Sequence, residues 1–256
     1  ENLGVNTNLD FTSKLDKKDE KTSLLLGGDA TINHSNNDTR TFSQRDSYSE
    51  EATYIDKDST NKLTQSWDAQ MRLEMEYQVD SMNKIILRPQ IGYTHTNSAQ
   101  MNDYTYDRDS VRINDGYQNK NSLQEEINAS IRAIYNHKFA KAGRALTMQG
   151  NVSFKNTKGE TDKYAWDRMT NRALVDQYTL SGNNALNYSL RTSYVEPIYG
   201  KNHFLETALL LSGSSRNSVK DQYTMNSLTD DYQYDSVFSN ELSNNMYTEQ
   251  LELNYR

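Results

Sequence analysis

The residues most able to meet a ligand form a repeated motif. Asp103-Tyr104-Thr105-Tyr106-Asp107 recurs as Asp231-Tyr232-Gln233-Tyr234-Asp235, with a looser version at Asp162-Lys163-Tyr164-Ala165-Trp166-Asp167. Alternating rings flanked by carboxylates offer stacking faces and hydrogen-bond acceptors, the chemistry of a small-molecule, glycan or peptide site. The same residues also suit extended hairpins, in which the tyrosines pair across strands. A second group, Arg72, Glu74, Glu76, Arg88, Arg132 and Arg191, places charges at alternate positions of otherwise apolar segments, as do Asp10, Glu126, Lys155 and Glu252. Such charges line a substrate path or neutralise one another.

Catalytic chemistry finds no support. No phosphate-binding glycine loop, dinucleotide fingerprint, zinc-protease pair, EF-hand or serine-nucleophile elbow occurs. His34, His95, His137 and His203 are scattered without metal-ligand spacing, and the acidic segments lack the ordered spacing of a calcium loop. The absence of cysteine excludes a disulfide scaffold, thiolate metal ligands and a cysteine nucleophile. The reading is therefore of a non-enzyme with no cofactor and no metal.

The elements that position these residues repeat with period two. Trp67, Ala69, Met71, Leu73, Met75, Tyr77 and Val79 alternate with Asp68, Gln70, Arg72, Glu74, Glu76, Gln78 and Asp80. A strand sorts these onto two faces, whereas a helix leaves no continuous apolar stripe. Similar segments begin at Leu3, Thr22, Ile85, Leu123, Ala145, Ala185, His203 and Tyr247, giving about nine strands of roughly the 9–11 residues that cross a membrane. Short turns are expected near 16–21, 81–83, 140–144 and 197–202, and long polar loops near 35–66, 96–122, 156–184 and 213–246. Aromatics fall in two belts, with Phe11, Tyr77, Phe139 and Tyr194 near the turns and Trp67, Tyr93, Phe154, Tyr188 and Tyr247 near the loops. This rhythm is that of an all-β, antiparallel up-and-down transmembrane β-barrel, facing outer-membrane lipid with every second residue.

Three details qualify the pattern. Pro89 removes a ladder donor inside the fourth strand. Leu24-Leu25-Leu26 and Leu209-Leu210-Leu211 are apolar on both faces and suggest local bulges. The third and fourth strands are expected to turn through Ser81-Met82-Asn83, closed by Asp80 and Lys84. That register sets Val79 opposite Ile85, Tyr77 opposite Leu87, Met71 opposite Tyr93, Glu76 opposite Arg88 and Glu74 opposite Gln90.

Composition agrees with the barrel reading. Eighteen tyrosines argue against disorder, although only 34% of the 256 residues are hydrophobic and the net charge is −7. An acidic balance disfavours nucleic acid as a partner. The chain starts at Glu1 and stops within an alternating stretch, which reads as a piece of a longer protein.

Two stretches carry a family resemblance. YVEPIYGKNHFLE (194–206) resembles the strand–turn–strand signature of the outer-membrane barrel family related to TonB-dependent receptors, through Tyr194, Glu196, Pro197, Gly200, Lys201, Asn202, Leu205 and Glu206. DSVFSNELSNNMYTEQLELNYR (235–256) is similar to the segment that follows it there, through Ser239, Asn240, Tyr247, Gln250, Leu253, Tyr255 and Arg256. Tyr199 departs from the pattern by making the turn one residue longer. The resemblance implies a barrel of about 22 strands, plugged by an N-terminal domain and driven by the TonB complex, in the cell outer membrane of a Gram-negative bacterium. This chain would then be a partial barrel, 1–256, from a receptor for energised nutrient uptake. The alternative is a cell-surface adhesin or structural β-protein whose long loops bind a partner.

Overall fold

The computed structural model describes residues 2–16, 23–199 and 203–256, with the first strand known by its backbone. The strands are β1 (Asn2–Asp16), β2 (Ser23–Tyr48), β3 (Thr53–Gln78), β4 (Asn83–Arg108), β5 (Val111–Lys138), β6 (Ala145–Asp167), β7 (Arg172–Tyr199), β8 (His203–Asn226), β9 (Asp231–Tyr234) and β10 (Asn240–Tyr255). Each pairs antiparallel with its predecessor in one meander, β1-β2-β3-β4-β5-β6-β7-β8-β10, and the short β9 pairs with β8. The sheet is open, because β1 and β10 each pair on one side only among the described residues. The fold is thus the all-β, up-and-down antiparallel sheet that the alternation demands.

The strands run far beyond the apolar segments. β2 to β8 are 23 to 28 residues long. The segments expected as long polar loops continue the strands, and the chain reverses in tight tips near 49–52, 109–110, 168–171 and 227–230. Asp109 and Ser110 take φ of 47° and 67°, so this two-residue connection uses left-handed backbone at both positions, which matches the twist of the flanking strands. Polar strands persist there because β-branched and aromatic residues, with the ladder hydrogen bonds, satisfy the backbone without needing an apolar face. The opposite, proximal end carries the turns at 79–82 and 139–144. The turns expected at 16–21 and 197–202 fall largely outside the described residues.

The register of β3 on β4 differs from expectation by two residues. Gln78 faces Lys84, Tyr77 faces Ile85, Met75 faces Leu87, Met71 faces Ile91 and Ala69 faces Tyr93. The cause is Asp80, whose carboxylate accepts the backbone N–H of Met82 (2.7 Å) and Asn83 (2.8 Å), while Val79 N–H donates to the Asn83 carbonyl (3.0 Å). Val79 and Asn83 thus close a loop of Asp80-Ser81-Met82, one position earlier than expected, which moves the pairing by two. These bonds to its charged form hold the Asp80 carboxyl below its ordinary range, with the Asn83 side chain contributing most. An even shift preserves the faces, so every residue stays on the predicted side. The ladder lapses at Leu73–Glu74 against Arg88–Pro89, where Pro89 has no N–H to give. No bulge occurs at either leucine triplet. The pairing of β2 runs unbroken through Leu24, Leu25 and Leu26, as does that of β8 through Leu209, Leu210 and Leu211.

This sheet has no core. Among the described residues only Ala52, Ala165 and Ala208 are buried apolar side chains, and no large side chain is fully buried. The molecule exposes 17593 Å², where a compact chain of 29.5 kDa exposes about 11,500 Å². One face carries the exposed apolar residues Ile32, Trp67, Met71, Ile91, Ile127, Ile131, Val152, Phe154, Leu186, Tyr188, Leu190, Leu209, Leu251 and Leu253 as a continuous band. A band that crosses eight strands is far wider than a soluble monomer leaves open.

Candidate functional site

The cross-strand registers divide every strand into an apolar-band face and a polar face. On the polar face, between the proximal turns and the middle of the sheet, the predicted charges are largely paired. Arg88 meets Glu74 through two hydrogen bonds (2.7 and 3.1 Å), whereas Glu76, expected opposite Arg88, takes Lys84 at 2.8 Å. Arg72 lies 3.8 Å from Asp29 and donates to Gln70 at 2.6 Å. Arg191 grips Glu252 (2.7 and 3.2 Å), Lys155 meets Glu126 (2.9 Å), and Arg132 donates to Gln149 (3.1 Å). Asp10 lies among the residues whose side chains are not described. Leu25, Gly27, Arg72, Glu74, Arg88 and Gln90 line a recess of about 450 Å³ at the lapse beside Pro89. Pairing therefore accounts for most of these charges.

The two Asp-Tyr-x-Tyr-Asp motifs do not form one site. Tyr104 and Tyr106 point to the polar face, where Tyr106 stacks on Tyr54 (centroids 5.7 Å apart, planes 9° apart) and the Arg108 guanidinium lies 5.8 Å from the Tyr54 ring centre. Tyr104 faces Gly116 directly, and a Cβ there would sit 2.5 Å from its hydroxyl. Tyr232 and Tyr234 lie on the other face, paired with Met225 and Tyr223. There they contact Tyr178 and Tyr223 with ring centres 5.7 to 6.5 Å apart, while Tyr117, Tyr164 and Trp166 form a separate group on the same face at 6.3 Å. The motifs part because each occupies a strand of its own, and which rings face the polar side depends on that strand's pairing parity.

The flanking carboxylates are engaged within the fold. Asp103 takes Arg168, and Asp107 takes Arg112 at 2.5 Å. Arg168 and Arg112 also share Asp115, and Arg168 lies over the Tyr117 ring at 5.3 Å, so this network ties the β4–β5 and β6–β7 tips together. Asp231 accepts the N–H of Tyr232, and Asp235 accepts those of Val237 and Phe238 as the cap of the β9–β10 connection. Tyr232 donates to Asp176 (2.6 Å), which pushes its phenol up to about 12. The tyrosines of the first motif, not its acids, remain available to a ligand on the polar face.

A proximal cluster gives Glu196 of the resemblance stretch a physical role. Its carboxylate accepts Arg144 in two bonds (2.7 and 2.8 Å), Lys141 (2.6 Å) and the Tyr194 hydroxyl (2.7 Å), and Lys141 also reaches the Pro197 carbonyl (2.8 Å). These donors hold the Glu196 carboxyl down to about 2, Arg144 foremost, against an ordinary 4.5. A depressed folded value means the clamp contributes fully above pH 4.5 and loses its contribution as pH falls toward 2. Acid unfolding of the native chain and of Glu196→Gln should therefore differ above pH 4.5 and converge near pH 2. A gap of unchanged size across that window refutes the clamp.

No family model matches the chain, and no curated protein does. Among solved structures, it is similar to the ferric citrate transporter FecA in its unliganded form, at 12% identity and a TM-score of 0.29 over 99% of this chain. It is also similar to the ferric yersiniabactin uptake receptor FyuA of Yersinia pestis, at 9% identity and a TM-score of 0.37 over 97% of this chain. The chain spans 42% of the length of either receptor.

Proposed function

We propose that this chain is part of an outer-membrane receptor barrel that imports a nutrient with energy relayed by the TonB complex, in the outer membrane of a Gram-negative bacterium. Further strands would complete the wall, and a plug domain would fill the interior. The observation that carries the reading is the one-sided apolar band on a coreless meander. A surface of this kind is stable in lipid and unstable in water, because each strand satisfies its backbone laterally while every second side chain meets hydrocarbon. The aromatics Trp67, Tyr93, Phe154, Tyr188 and Tyr247 are exposed on the band's face, and rings of mixed polarity favour the membrane interface. The ligand, a small nutrient, glycan or peptide, would meet the distal polar face at Tyr104 and Tyr106.

The two tryptophans provide the test. Trp67 is half exposed at the band's rim, whereas Trp166 lies at the distal end of β6. With the full-length protein in vesicles of brominated phospholipid, the Trp67→Phe variant should show less bromine-dependent quenching than the native protein, and Trp166→Phe should be quenched as fully as the native protein. Equal quenching by aqueous iodide and none by bromolipid sinks the membrane assignment. In cells that depend on the receptor for a limiting nutrient, the Tyr104→Ala/Tyr106→Ala variant should take up less, with assembly unchanged. Uptake that survives this change but fails with Tyr232→Ala/Tyr234→Ala would move the ligand to the other face.

A further inference from the structure

The distal polar face holds a pair of lysines that no group among the described residues neutralises. Lys120 of β5 and Lys163 of β6 are direct cross-strand partners, in the row Thr39–Lys62–Gln100–Lys120–Lys163–Gln177–Thr224. Directly opposed side chains have Cβ atoms about 5 Å apart, and like charges at that spacing oppose pairing. From β3 to β7 the adjoining rows on this face contain no carboxylate, and Asp235, beyond β8, accepts from Thr224 at 3.4 Å three strands from Lys163. Toward the tips lie Thr60, Asn102, Gln118, Ala165 and Val175; toward the middle lie Thr64, Ser98, Ser122, Thr161 and Thr179. The nearest acids there, Asp58 and Asp167, are two rows away, about 13 Å along the strands. That distance exceeds the screening length in physiological salt. Lys62 extends the row beyond Gln100, and Lys220 follows two rows below on β8.

Charge on the reverse face of the same stretch has the opposite sign. Asp103, Glu125, Glu160, Asp162, Asp176 and Asp221 all lie there, with Lys158 among them and Arg168 on Asp103. In a chain of net charge −7, carboxylates are plentiful and stand back to back with the lysines, yet none on β3 to β7 lies in the lysine row or the rows beside it on their own face. The charges nearer the proximal turns, Arg72, Glu74, Glu76, Arg88, Arg132, Lys155 and Arg191, each have an acid, base or amide partner. Among the described residues, Lys62, Lys120 and Lys163 have no hydrogen-bond or ion-pair partner. Gln100, Gln118 and Gln177 supply uncharged N–H donors around them, and Ser122 and Thr161, joined by a 3.2 Å hydrogen bond, supply hydroxyls.

We infer that Lys120 and Lys163, with Lys62 beside them, form a binding site for an oxyanion, the carboxylate or phosphate group of the imported solute. Two ammonium groups at one cross-strand position neutralise a dianion, and the flanking amides complete its hydrogen bonds. The inference rests on the receptor reading, since it takes the polar face as the solvent-filled interior. The site lies on the same face as Tyr104 and the Tyr106–Tyr54 stack, so one ligand can present an anionic group to the lysines and a flat face to the rings.

Inorganic pyrophosphate is a suitable probe, titrated calorimetrically into the full-length protein in a neutral detergent at low ionic strength. The native protein should bind it saturably. The Lys120→Gln/Lys163→Gln variant should bind at least about tenfold more weakly, the loss of one charge-assisted contact or more. Lys158→Gln, on the reverse face, should bind as the native protein does. Lys120→Glu guards against misfolding, because it replaces a repulsive pair with an attractive one; it should melt no lower than the native protein and fail to bind. Unchanged affinity in the double variant, an equal loss in Lys158→Gln, or no saturable binding to the native protein overturns the site. Bromolipid quenching of Trp67 in the same variants keeps the two failures apart. Lost binding with quenching intact is a result about the lysines, and lost quenching in the native protein is a result about the barrel.

Discussion

Replacing Ile131 by Arg should abolish stable insertion, whereas the same change at the preceding residue, Ser130, should be tolerated. Ile131 is 43% exposed on the apolar face near the middle of the band, between Pro89 and Val152. A guanidinium there must enter hydrocarbon, or drag water and headgroups toward it, at a cost of about 2–4 kcal/mol at the membrane midplane. That is a large part of the roughly 5–15 kcal/mol by which folded chains are stable. Ser130 faces the other way, between Gln90 and Ser153, where a cation remains hydrated. Its substitution should stay within about 0.5 kcal/mol, the range of surface changes. Urea titration of the vesicle-embedded full-length protein, followed by tryptophan emission, measures both. Equal destabilisation by the two variants contradicts the division into faces.

Gly116→Ala should destabilise the distal sheet by about 1–3 kcal/mol, the usual cost of forcing atoms into filled space. Glycine in a strand is ordinarily the weaker choice, so alanine gains where room exists. At Gly116 there is none. An added Cβ would lie 2.5 Å from the Trp166 carbonyl and 2.5 Å from the Tyr104 hydroxyl. The tyrosine can swing aside, but the carbonyl belongs to the backbone of β6 and yields only if the strands part. Gly182 provides the contrast, since a Cβ there meets nothing within 4 Å. Gly182→Ala should be neutral or stabilising by up to about 1 kcal/mol. Thermal melts of the two variants in one detergent decide the matter. In Gly116→Ala the Tyr104 ring should also lose its place, so ligand uptake should fall along with stability.

The alternation around Trp67 to Val79 was sufficient to assign faces, because a strand has a side-chain period of two and any even register keeps the assignment. That is why Met71 and Ile91 stand exposed on one side and Arg72 and Arg88 on the other, although the β3–β4 pairing is two residues from the expected one. The sequence by itself therefore determined the fold class, the band and the polarity of each face. It could not reach contacts across strands, since these depend on how each turn closes. The Asp80 cap decided that Glu74 rather than Glu76 meets Arg88. Strand parity, set separately for β4 and β9, turned two identical-looking tyrosine motifs to opposite faces. The registers of β5 and β6 then brought Lys120 and Lys163 together, 43 positions apart in sequence, with no carboxylate between them. Periodicity is a local property that one strand displays alone; juxtaposition belongs to pairs of strands, and only the assembled sheet fixes it.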